Sequence, residues 1–387
     1  MGDGTLQVTR EQVLAYRLSG HHLDRRLAPG AWAPAADACG IGNSPPTSAA
    51  LALWARVAGL RPVEVEDALV RDRSLVQAWS VRGAPLVFPS AAASVFTREL
   101  EPADESELRA FLPGWVALLD QLGMPATALV DAVTTAASTV LDGRTVVGKT
   151  VLDAEVADAV RPSLAAPQIG PWDSPSGLAA GQTVGQALVS FALRVVSLRG
   201  VVCFAGRNGR QPTFVRTDQW LGAVVPAPAS AGAGLVVRYL RCYGPSSVAD
   251  FASWAGIGPA QAARLWAATP DLLVAVVWDG RKGYVPAAEM PRLRAAAPAR
   301  TVRLLPPLDP WVQQRDRSTV LADRALHARV WRTIGWPGTI LVDGRIAGVW
   351  HAGPGQPEVE LFEPLDADAG AGLEDELVSL ATFRGDG

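Results

Sequence analysis

The pattern of apolar and polar residues after position 246 predicts two short helices separated by a tight turn. Ser247 and Asp250 have the spacing of an N-terminal capping box, so the first helix should run to about Trp254. Gly256-Ile257-Gly258 interrupts the helical pattern. A second helix should cover 259–268, because a proline stands at its first position.

A hairpin should follow these helices. Leu272 to Trp278 is an apolar run typical of a strand, and Asp279-Gly280 is a favoured two-residue turn. Lys282 and Tyr284 begin the return strand. Helix, turn, helix and basic hairpin together indicate a winged helix, a module that places one helix in a DNA groove.

The first 112 residues show a similar order of elements. Thr9 and Gln12 form a capping box, which predicts a helix to about Leu23. A loop rich in proline, glycine and alanine, Ala28 to Thr47, then precedes a helix from Ser48 to Val57. A helix and a strand pair complete this module: 63–70, 75–79 and 85–89.

A second module is expected over residues 113–225. Its helices are predicted at 115–122, 126–140, 151–160 and 184–198, and its strands at 201–205 and 213–216. Asn208-Gly209 marks the hairpin turn between the strands. Pro162 to Pro175 is rich in proline and is interpreted as a surface loop. The segment Pro226 to Gly234 is interpreted as a linker to the third module.

The fold class expected from these patterns is α+β, with three tandem winged-helix modules and a β-rich C-terminal extension. The modules are 1–112, 113–225 and 235–300, and the extension with its acidic tail is 301–387. In the extension, strands are expected at 302–305, 338–342, 346–351 and 359–362, before a helix at 373–381.

Composition favours a soluble globular protein. The 387 residues are 49% hydrophobic and 19% charged, and no apolar run reaches the ~20 residues of a membrane span. The N-terminus lacks the basic and apolar pattern of a secretory signal. Cys39, Cys203 and Cys242 are scattered and odd in number, which fits a cytoplasmic location.

Charge is distributed unevenly along the chain. Phe191 to Arg345 carries 20 Lys and Arg against 9 Asp and Glu, a balance of +11, although the net charge of the whole chain is −3. A basic central surface and acidic ends favour double-stranded DNA as the partner. Ten residues are predicted to contact DNA phosphates: Arg194, Arg199, Arg207, Arg210, Arg216, Arg238, Arg241, Arg264, Arg281 and Lys282.

Two motifs are interpreted as structural. Gly143 to Thr150 fits the P-loop formula, but its predicted context is a helix-turn-helix, not a strand followed by a helix, so no nucleotide cofactor is expected. Asp309 lies between prolines and could position a water molecule. A turn at Asp309, followed by a surface ion-pair network at Arg315-Asp316-Arg317, is favoured.

The histidines do not predict a metal centre. His21 and His22 end the first helix, and His327 and His351 stand alone. None of them has a second histidine or a cysteine at metal-ligand spacing, so neither a metal nor a cofactor is expected.

The chain resembles the AlkZ-like family of winged-helix DNA-binding proteins, which includes bacterial DNA glycosylases. The resemblance covers nearly the whole chain and rests on short motifs in a fixed order. They include Cys39-Gly-Ile-Gly-Asn-Ser-Pro-Pro46, Trp79-Ser-Val-Arg-Gly83, Pro212-Thr-Phe-Val-Arg216, Arg238-Tyr-Leu-Arg-Cys-Tyr-Gly-Pro245 and Leu304-Leu-Pro-Pro-Leu-Asp-Pro310. What the resemblance implies is a set of tandem winged helices around a DNA channel, and in some members the removal of alkylated bases.

The resemblance also implies a catalytic motif that this chain lacks. The family's glycosylases carry a Gln-apolar-Gln or Gln-apolar-Asp motif before the helix that starts near Ser48. An ungapped match places Gly42 at the first Gln, Asn43 at the apolar position and Ser44 at the last position. Asn43 and Ser44 are therefore the remaining candidates for holding water, and impaired or altered catalysis is expected.

Three hypotheses follow for the function. The first is a DNA-binding protein derived from a glycosylase scaffold. The second is an active glycosylase that excises bulky alkylated bases. The third is a binding protein that sequesters a genotoxic small molecule, with the thirteen tryptophans as its lining.

Overall fold

The computed structural model describes residues 6–228, 233–269, 273–353 and 356–385 and contains both helices and strands. The strands are β1 (Leu6–Gln7), β2 (Ile41–Gly42), β3 (Leu75–Trp79), β4 (Pro85–Pro89), β5 (Val146–Val147), β6 (Val202–Asn208), β7 (Gln211–Arg216), β8 (Leu273–Trp278), β9 (Arg281–Pro286), β10 (Val302–Leu305), β11 (Gly338–Val342), β12 (Arg345–His351) and β13 (Glu358–Leu361). The mixed α+β class predicted from the sequence is confirmed.

The α-helices connect these strands. They are α1 (Arg10–Gly20), α2 (Trp32–Asp37), α3 (Ser48–Trp54), α4 (Pro62–Val70), α5 (Ala93–Phe96), α6 (Glu105–Phe111), α7 (Val116–Leu122), α8 (Ala126–Val140), α9 (Lys149–Val160), α10 (Ala166–Asp173), α11 (Val184–Leu198), α12 (Thr217–Leu221), α13 (Ala233–Tyr243), α14 (Val248–Ala255), α15 (Pro259–Ala267), α16 (Met290–Ala295), α17 (His327–Val330) and α18 (Ala367–Arg384).

Contacts divide the chain into two compact units. The first unit comprises Met1–Val65, Gly234–Trp254 and Thr269–Gly387, and the second comprises Glu66–Ala233 and Ala255–Ala268. The four-way division predicted from the sequence, and the number of winged-helix modules in it, stay predictions. Part of the predicted linker, 229–232, and the first residue of the strand predicted at Leu272 lie outside the described residues.

The first unit contains two sheets. Strand β1 pairs in parallel with β8, which forms an antiparallel hairpin with β9. The helix α1 begins at the predicted capping box of Thr9 and Gln12. It packs on this small sheet through a core that includes Tyr16 and Trp278. Strands β10 to β13 form a second, antiparallel sheet in chain order.

The second unit has α11 at its centre. Strands β4, β3, β6, β7 and β5 lie side by side in that order, with every pair antiparallel. The helix α11 starts at a capping box, Thr183 and Gln186, and is buried along most of its length. A hairpin between β6 and β7 is confirmed, but its turn lies one residue later than predicted, since Asn208 pairs with Gln211 and the turn consists of Gly209 and Arg210.

One sequence prediction in the second unit was wrong. The segment interpreted as a surface loop, Pro162 to Pro175, contains the helix α10. A proline at the start of a helix costs no hydrogen bond, and Pro167 occupies such a position. Trp172 anchors the helix because it is buried against Gly185 of α11, where a Cβ atom would lie 2.2 Å from the indole ring.

Among the described residues no single helix has both the length and the apolar composition needed to cross a membrane. Two consecutive segments, Pro113–Leu122 and Ala126–Val140, meet that test only as a pair, and they are bent by 95°.

Candidate functional site

The loop between Cys39 and Ser48 carries the residues that the resemblance aligns with the glutamine motif of the family's glycosylases. Gly42 ends β2, and the Ser44–Pro45 peptide bond is cis. The hydroxyl of Ser48 donates to the carbonyl of Pro45 at 2.7 Å and lies 3.1 Å from the carbonyl oxygen of Gly42. The loop is therefore tied to the first turn of α3.

Asn43 supports the same helix. Its Oδ1 atom accepts a hydrogen bond from the backbone N–H of Ala49 at 3.3 Å, so it satisfies a donor that the helix itself leaves open. Asn43 is half-buried and Ser44 is exposed. Asn43 therefore caps this end of α3 with its side chain.

Gly42 has space for a larger side chain. A Cβ atom built on it would meet only the carbonyl oxygen of Leu308, at 3.9 Å, which is an ordinary contact. Its backbone does not adopt a positive φ. Gly42 therefore supplies no donor or acceptor side chain, although its surroundings do not demand glycine.

A groove of about 290 Å³ begins at this loop. Its lining is mainly aromatic, proline and hydroxyl side chains: Pro45, Pro46, Thr47, Ser48, Leu51, Pro307, Trp336, Pro337, Gly338, Trp350, His351, Ala352 and Arg384. Within the described part of the chain, no carboxylate or amide side chain lines this groove. Its titratable side chains are His351 and Arg384, and the guanidinium of Arg384 lies 5.5 Å from the ring of Trp350.

His351 is a groove residue that the sequence reasoning did not select. It was noted only as an isolated histidine, because its neighbours in the groove come from distant parts of the chain. No local pattern marked it, since buried and exposed residues do not alternate regularly along β12.

Asp309 cannot hold a catalytic water. Its two oxygens each accept a hydrogen bond from the guanidinium of Arg56 at 2.8 Å, and Oδ1 also accepts the N–H of Trp311. Both partners of the ion pair are almost fully buried. Burial lowers the pKa of Arg56, but Asp309 more than offsets this, so the pKa stays above its ordinary value. Asp309 therefore has a structural role, as favoured from the sequence.

A cluster of buried groups lies beneath the loop. It consists of His21, Cys39 and Cys242, each of which offers one potential metal-ligand atom, and these atoms lie within 4.8 Å of one another. The spacing of these residues in the sequence did not predict that they lie together. The Sγ atom of Cys39 is 3.9 Å from Nδ1 of His21 and accepts a hydrogen bond from the hydroxyl of Tyr243. A hydrogen bond from Cys242 holds the pKa of Cys39 well below its ordinary value, although burial opposes this.

The predicted DNA contacts in the second unit differ in their availability. Arg207 and Arg210 are exposed at the tip of the β6–β7 hairpin, and Arg207 donates to the carbonyl of Arg210. Arg199 pairs with Glu101 and Asp131, whereas Arg216 pairs with Asp142 and Asp218. Among the described residues no carboxylate pairs with Arg207 or Arg210, whereas Arg199 and Arg216 are neutralised within the unit.

Arg194 and Arg264 are also engaged in the second unit. Arg194 is half-buried, donates to the carbonyl of Ser190 and lies 5.5 Å from the ring of Phe191. Arg264 pairs with Glu107 at 2.6 Å. The rest of the exposed face of α15 consists of Pro259, Ala260, Ala263 and Ala267. Since base readout needs long polar side chains, the prediction that this helix enters a DNA groove gains no support.

Four predicted DNA contacts lie in the first unit. Arg238 pairs with Asp37 and Arg241 pairs with Glu289, in both cases at 2.8 Å. Arg281 and Lys282 are exposed at the tip of the β8–β9 hairpin. Arg281 lies 3.9 Å from a carboxylate oxygen of Asp316. The hairpin tip again carries the more available cations.

The segment that fits the P-loop formula is not a phosphate cradle. A helix, α8, precedes it, and β5 within it pairs antiparallel with β7. The N–H of Gly148 donates to the carbonyl of Pro212, so it is not available to a phosphate. Lys149 contacts Asp153 and donates to Ser190, and burial lowers its pKa to about 8. The sequence interpretation of this segment as structural is consistent with these contacts.

Comparison with known proteins places this geometry in context. Residues 35–383 match the sequence family described as DNA glycosylase AlkZ-like. An interstrand DNA cross-link repair glycosylase from Streptomyces sahachiroi is 29% identical over 167 residues, which are 41% of this chain and 45% of the relative's length. The solved structure of the DNA glycosylase AlkZ from Streptomyces sahachiroi has the same fold, with a TM-score of 0.79 and 23% identity over 98% of each chain.

Proposed function

Because the chain belongs to the AlkZ-like DNA glycosylase family, we propose that it binds double-stranded DNA and that its base-excision chemistry is impaired or altered. The loop from Gly42 to Ser44 carries this proposal. Excision of a base requires a group that holds a water molecule against the sugar while positive charge develops there. Here Gly42 has no side chain, and Asn43 uses its amide oxygen to hold α3.

The DNA-binding part of the proposal rests on the two hairpin tips. Arg207 and Arg210 of one hairpin and Arg281 and Lys282 of the other are exposed. Among the described residues, Arg207, Arg210 and Lys282 have no carboxylate within 4.0 Å, and Arg281 has only the 3.9 Å contact with Asp316. Exposed cations on a protruding hairpin suit contacts with phosphates, which need charge but no sequence information.

The order of elements in the second unit supports a winged-helix arrangement. The helix α8, strand β5 and helices α9 and α11 precede the β6–β7 hairpin, and β5 lies beside β7. Since α11 is buried along most of its length, we assign DNA contact to the hairpin tip and not to this helix.

An active glycosylase is the second candidate, and the groove beside the loop favours it. The half-buried Trp336 gives it an aromatic wall of the kind on which a planar base stacks, and His351 could hold a water molecule. The likeness to an interstrand DNA cross-link repair glycosylase supports cross-linked DNA as the substrate class in that case.

Sequestration of a genotoxic small molecule receives less support. Four tryptophans are among the largest fully buried side chains of the described residues, where they serve the core: Trp115, Trp172, Trp254 and Trp311.

Two measurements on the full-length protein test the proposal. A titration with duplex DNA at several salt concentrations should show binding that weakens steeply as salt rises. Release of free base from alkylated DNA should be at least roughly 100-fold slower than that of a family member with the glutamine motif, because loss of one group that stabilises the transition state has this effect. Absence of DNA binding at low salt would overturn the first part. Base release at the rate of that family member would overturn the second part in favour of the active enzyme.

A further inference from the structure

A basin of about 620 Å³ in the first unit is lined mainly by arginines. Its cationic side chains are Arg10, Arg281, Arg315, Arg317 and Arg324, with His327 beside them. They come from α1, the β8–β9 hairpin and the segment between β10 and β11. Arg315 and Arg317 do not form the surface ion-pair network with Asp316 that the sequence predicted, because the partners of Asp316 are Arg17 and Arg281.

The two acidic residues at the basin are already paired. Asp279 accepts a 2.6 Å hydrogen bond from Arg10. Asp316 accepts two 2.9 Å hydrogen bonds from Arg17, whose side chain is only 1% exposed, and a third hydrogen bond from the hydroxyl of Thr319. Asp316 therefore neutralises a buried arginine beneath the basin and not its two neighbours in sequence.

Three arginines of the basin are left without an anionic partner. Among the described residues, no carboxylate lies within 4.0 Å of Arg315, Arg317 or Arg324. Arg315 donates to the carbonyl of Ser253, but its Nε atom is buried and has no hydrogen-bond partner. Arg317 lies 4.8 Å from the ring of Trp331, and Arg324 is exposed.

Electrostatics in the basin disfavour this arrangement unless an anion is bound. Burial lowers the pKa of Arg315, and burial followed by repulsion from Arg315 lowers the pKa of Arg317. An unpaired buried N–H and a concentration of like charge both cost free energy. Phosphate oxygens match the planar geometry of a guanidinium group. A bound phosphate would accept hydrogen bonds from the arginines and neutralise their charge.

We propose that this basin binds a phosphate group of the DNA backbone, with Arg317 and Arg324 as its main contacts. This inference rests on the proposed function, since it assumes that the protein binds DNA. The position of Arg281 supports a DNA strand, and not a free phosphate compound, as the source of the phosphate group. Arg281 lines the basin and also belongs to the exposed tip of the β8–β9 hairpin. A DNA strand that follows this hairpin therefore passes the basin.

The test compares the full-length wild type with Arg317→Gln, Arg324→Gln and the double variant in DNA titrations at several salt concentrations. Arg329→Gln is the matched control, because Arg329 is similarly exposed, pairs with Glu360 and does not line the basin. We expect each basin variant to weaken DNA binding about tenfold for any duplex sequence. The slope of log affinity against log salt concentration should fall in magnitude by about one, and the control should change neither the affinity nor this slope.

A second measurement separates this inference from the proposed function. Inorganic pyrophosphate, without DNA, should raise the melting temperature of the wild type and of Arg329→Gln but not that of the double variant. If wild type binds DNA and the double variant binds it equally well, the basin is not a DNA phosphate site, while the proposed function survives. If wild type binds no DNA, the proposed function fails. A response to pyrophosphate in that case would assign the basin to a free phosphate compound, which overturns the DNA assignment.

Discussion

Arg56 and Asp309 form a two-bonded ion pair across 253 residues of sequence, with both hydrogen bonds at 2.8 Å. The side chains are 1% and 0% exposed. Removing one member of such a pair leaves a charge buried without compensation, which costs far more than the pair itself contributes.

The first prediction concerns this pair. We expect Asp309→Ala to lower the free energy of unfolding by about 3–5 kcal/mol, because the guanidinium of Arg56 stays buried without its partner. Urea denaturation of both proteins measures this difference. Arg61→Ala is the control, since Arg61 is 71% exposed and its pair with Glu64 should contribute about 0.5 kcal/mol or less. A stable Asp309→Ala protein that has lost only activity would instead favour a catalytic Asp309.

The second prediction concerns Gly42, at the position where the resemblance predicts a glutamine. We expect Gly42→Gln to raise the rate of base release from alkylated DNA by at least about tenfold, because the new amide supplies one water-holding group. The open space at Gly42 should leave the loop unchanged. Chromatographic detection of free 7-methylguanine gives the rate.

Gly170→Gln is the matched control for this variant. It places the same side chain at a helical glycine, where an added Cβ meets nothing within 4 Å. If Gly42→Gln is folded and releases base no faster than wild type and this control, the missing glutamine is not what limits the chemistry, and His351 becomes the residue to replace.

The third prediction distinguishes free from paired arginines in the second unit. Arg207→Gln and Arg210→Gln should each weaken DNA binding several-fold and reduce the salt slope by about one, because these side chains are exposed at the hairpin tip. Arg216→Gln should lower the free energy of unfolding by about 1 kcal/mol and change the affinity for DNA little, because Arg216 forms ion pairs with Asp142 and Asp218. A larger loss of affinity with Arg216→Gln than with Arg210→Gln would contradict this assignment.

Local patterns in the sequence were sufficient for most elements of the fold. The strands Leu75–Trp79 and Pro85–Pro89 have the predicted bounds, because short apolar runs flanked by turn residues specify them. The helix Val184–Leu198 was predicted with equal accuracy from its periodicity. Several helices were not predicted. One of them, Ala166–Asp173, contains prolines, which local propensity counts against a helix, and the packing of Trp172 against Gly185 accounts for it.

The candidate sites could be predicted only in part, because their chemistry depends on tertiary pairing. The sequence showed a basic region but not which of its cations are neutralised. Arg238 lies 201 residues from its partner Asp37. Asp316 pairs with Arg17, 299 residues away, and not with the two arginines beside it in the sequence. For the same reason the basin around Arg317 was interpreted as an ordinary surface network.

The fourth prediction concerns the pH dependence of stability and follows from Lys149. Burial lowers the pKa of this lysine from 10.5 to about 8, although Asp153 opposes the change. In the unfolded chain the pKa returns to its ordinary value, so between about pH 8 and 10.5 the unfolded state binds more protons than the folded state. The free energy of unfolding therefore rises with pH in this window. We expect the contribution of Lys149 to increase by about 2 kcal/mol between pH 7.5 and 9.5.

Urea denaturation at several pH values measures this rise in the free energy of unfolding. The variant to compare with the wild type is Lys149→Met/Asp153→Asn, because replacing both residues leaves no buried carboxylate without its partner. The double variant should lack the rise that the wild type shows, because it has no titrating group at this position. Lys282→Met is the matched control, since Lys282 is the only other lysine of the chain and is exposed on a hairpin tip. It should retain the slope of the wild type. Parallel slopes for wild type and the double variant would mean that Lys149 is well solvated in the folded protein, and the buried environment described for it would be wrong.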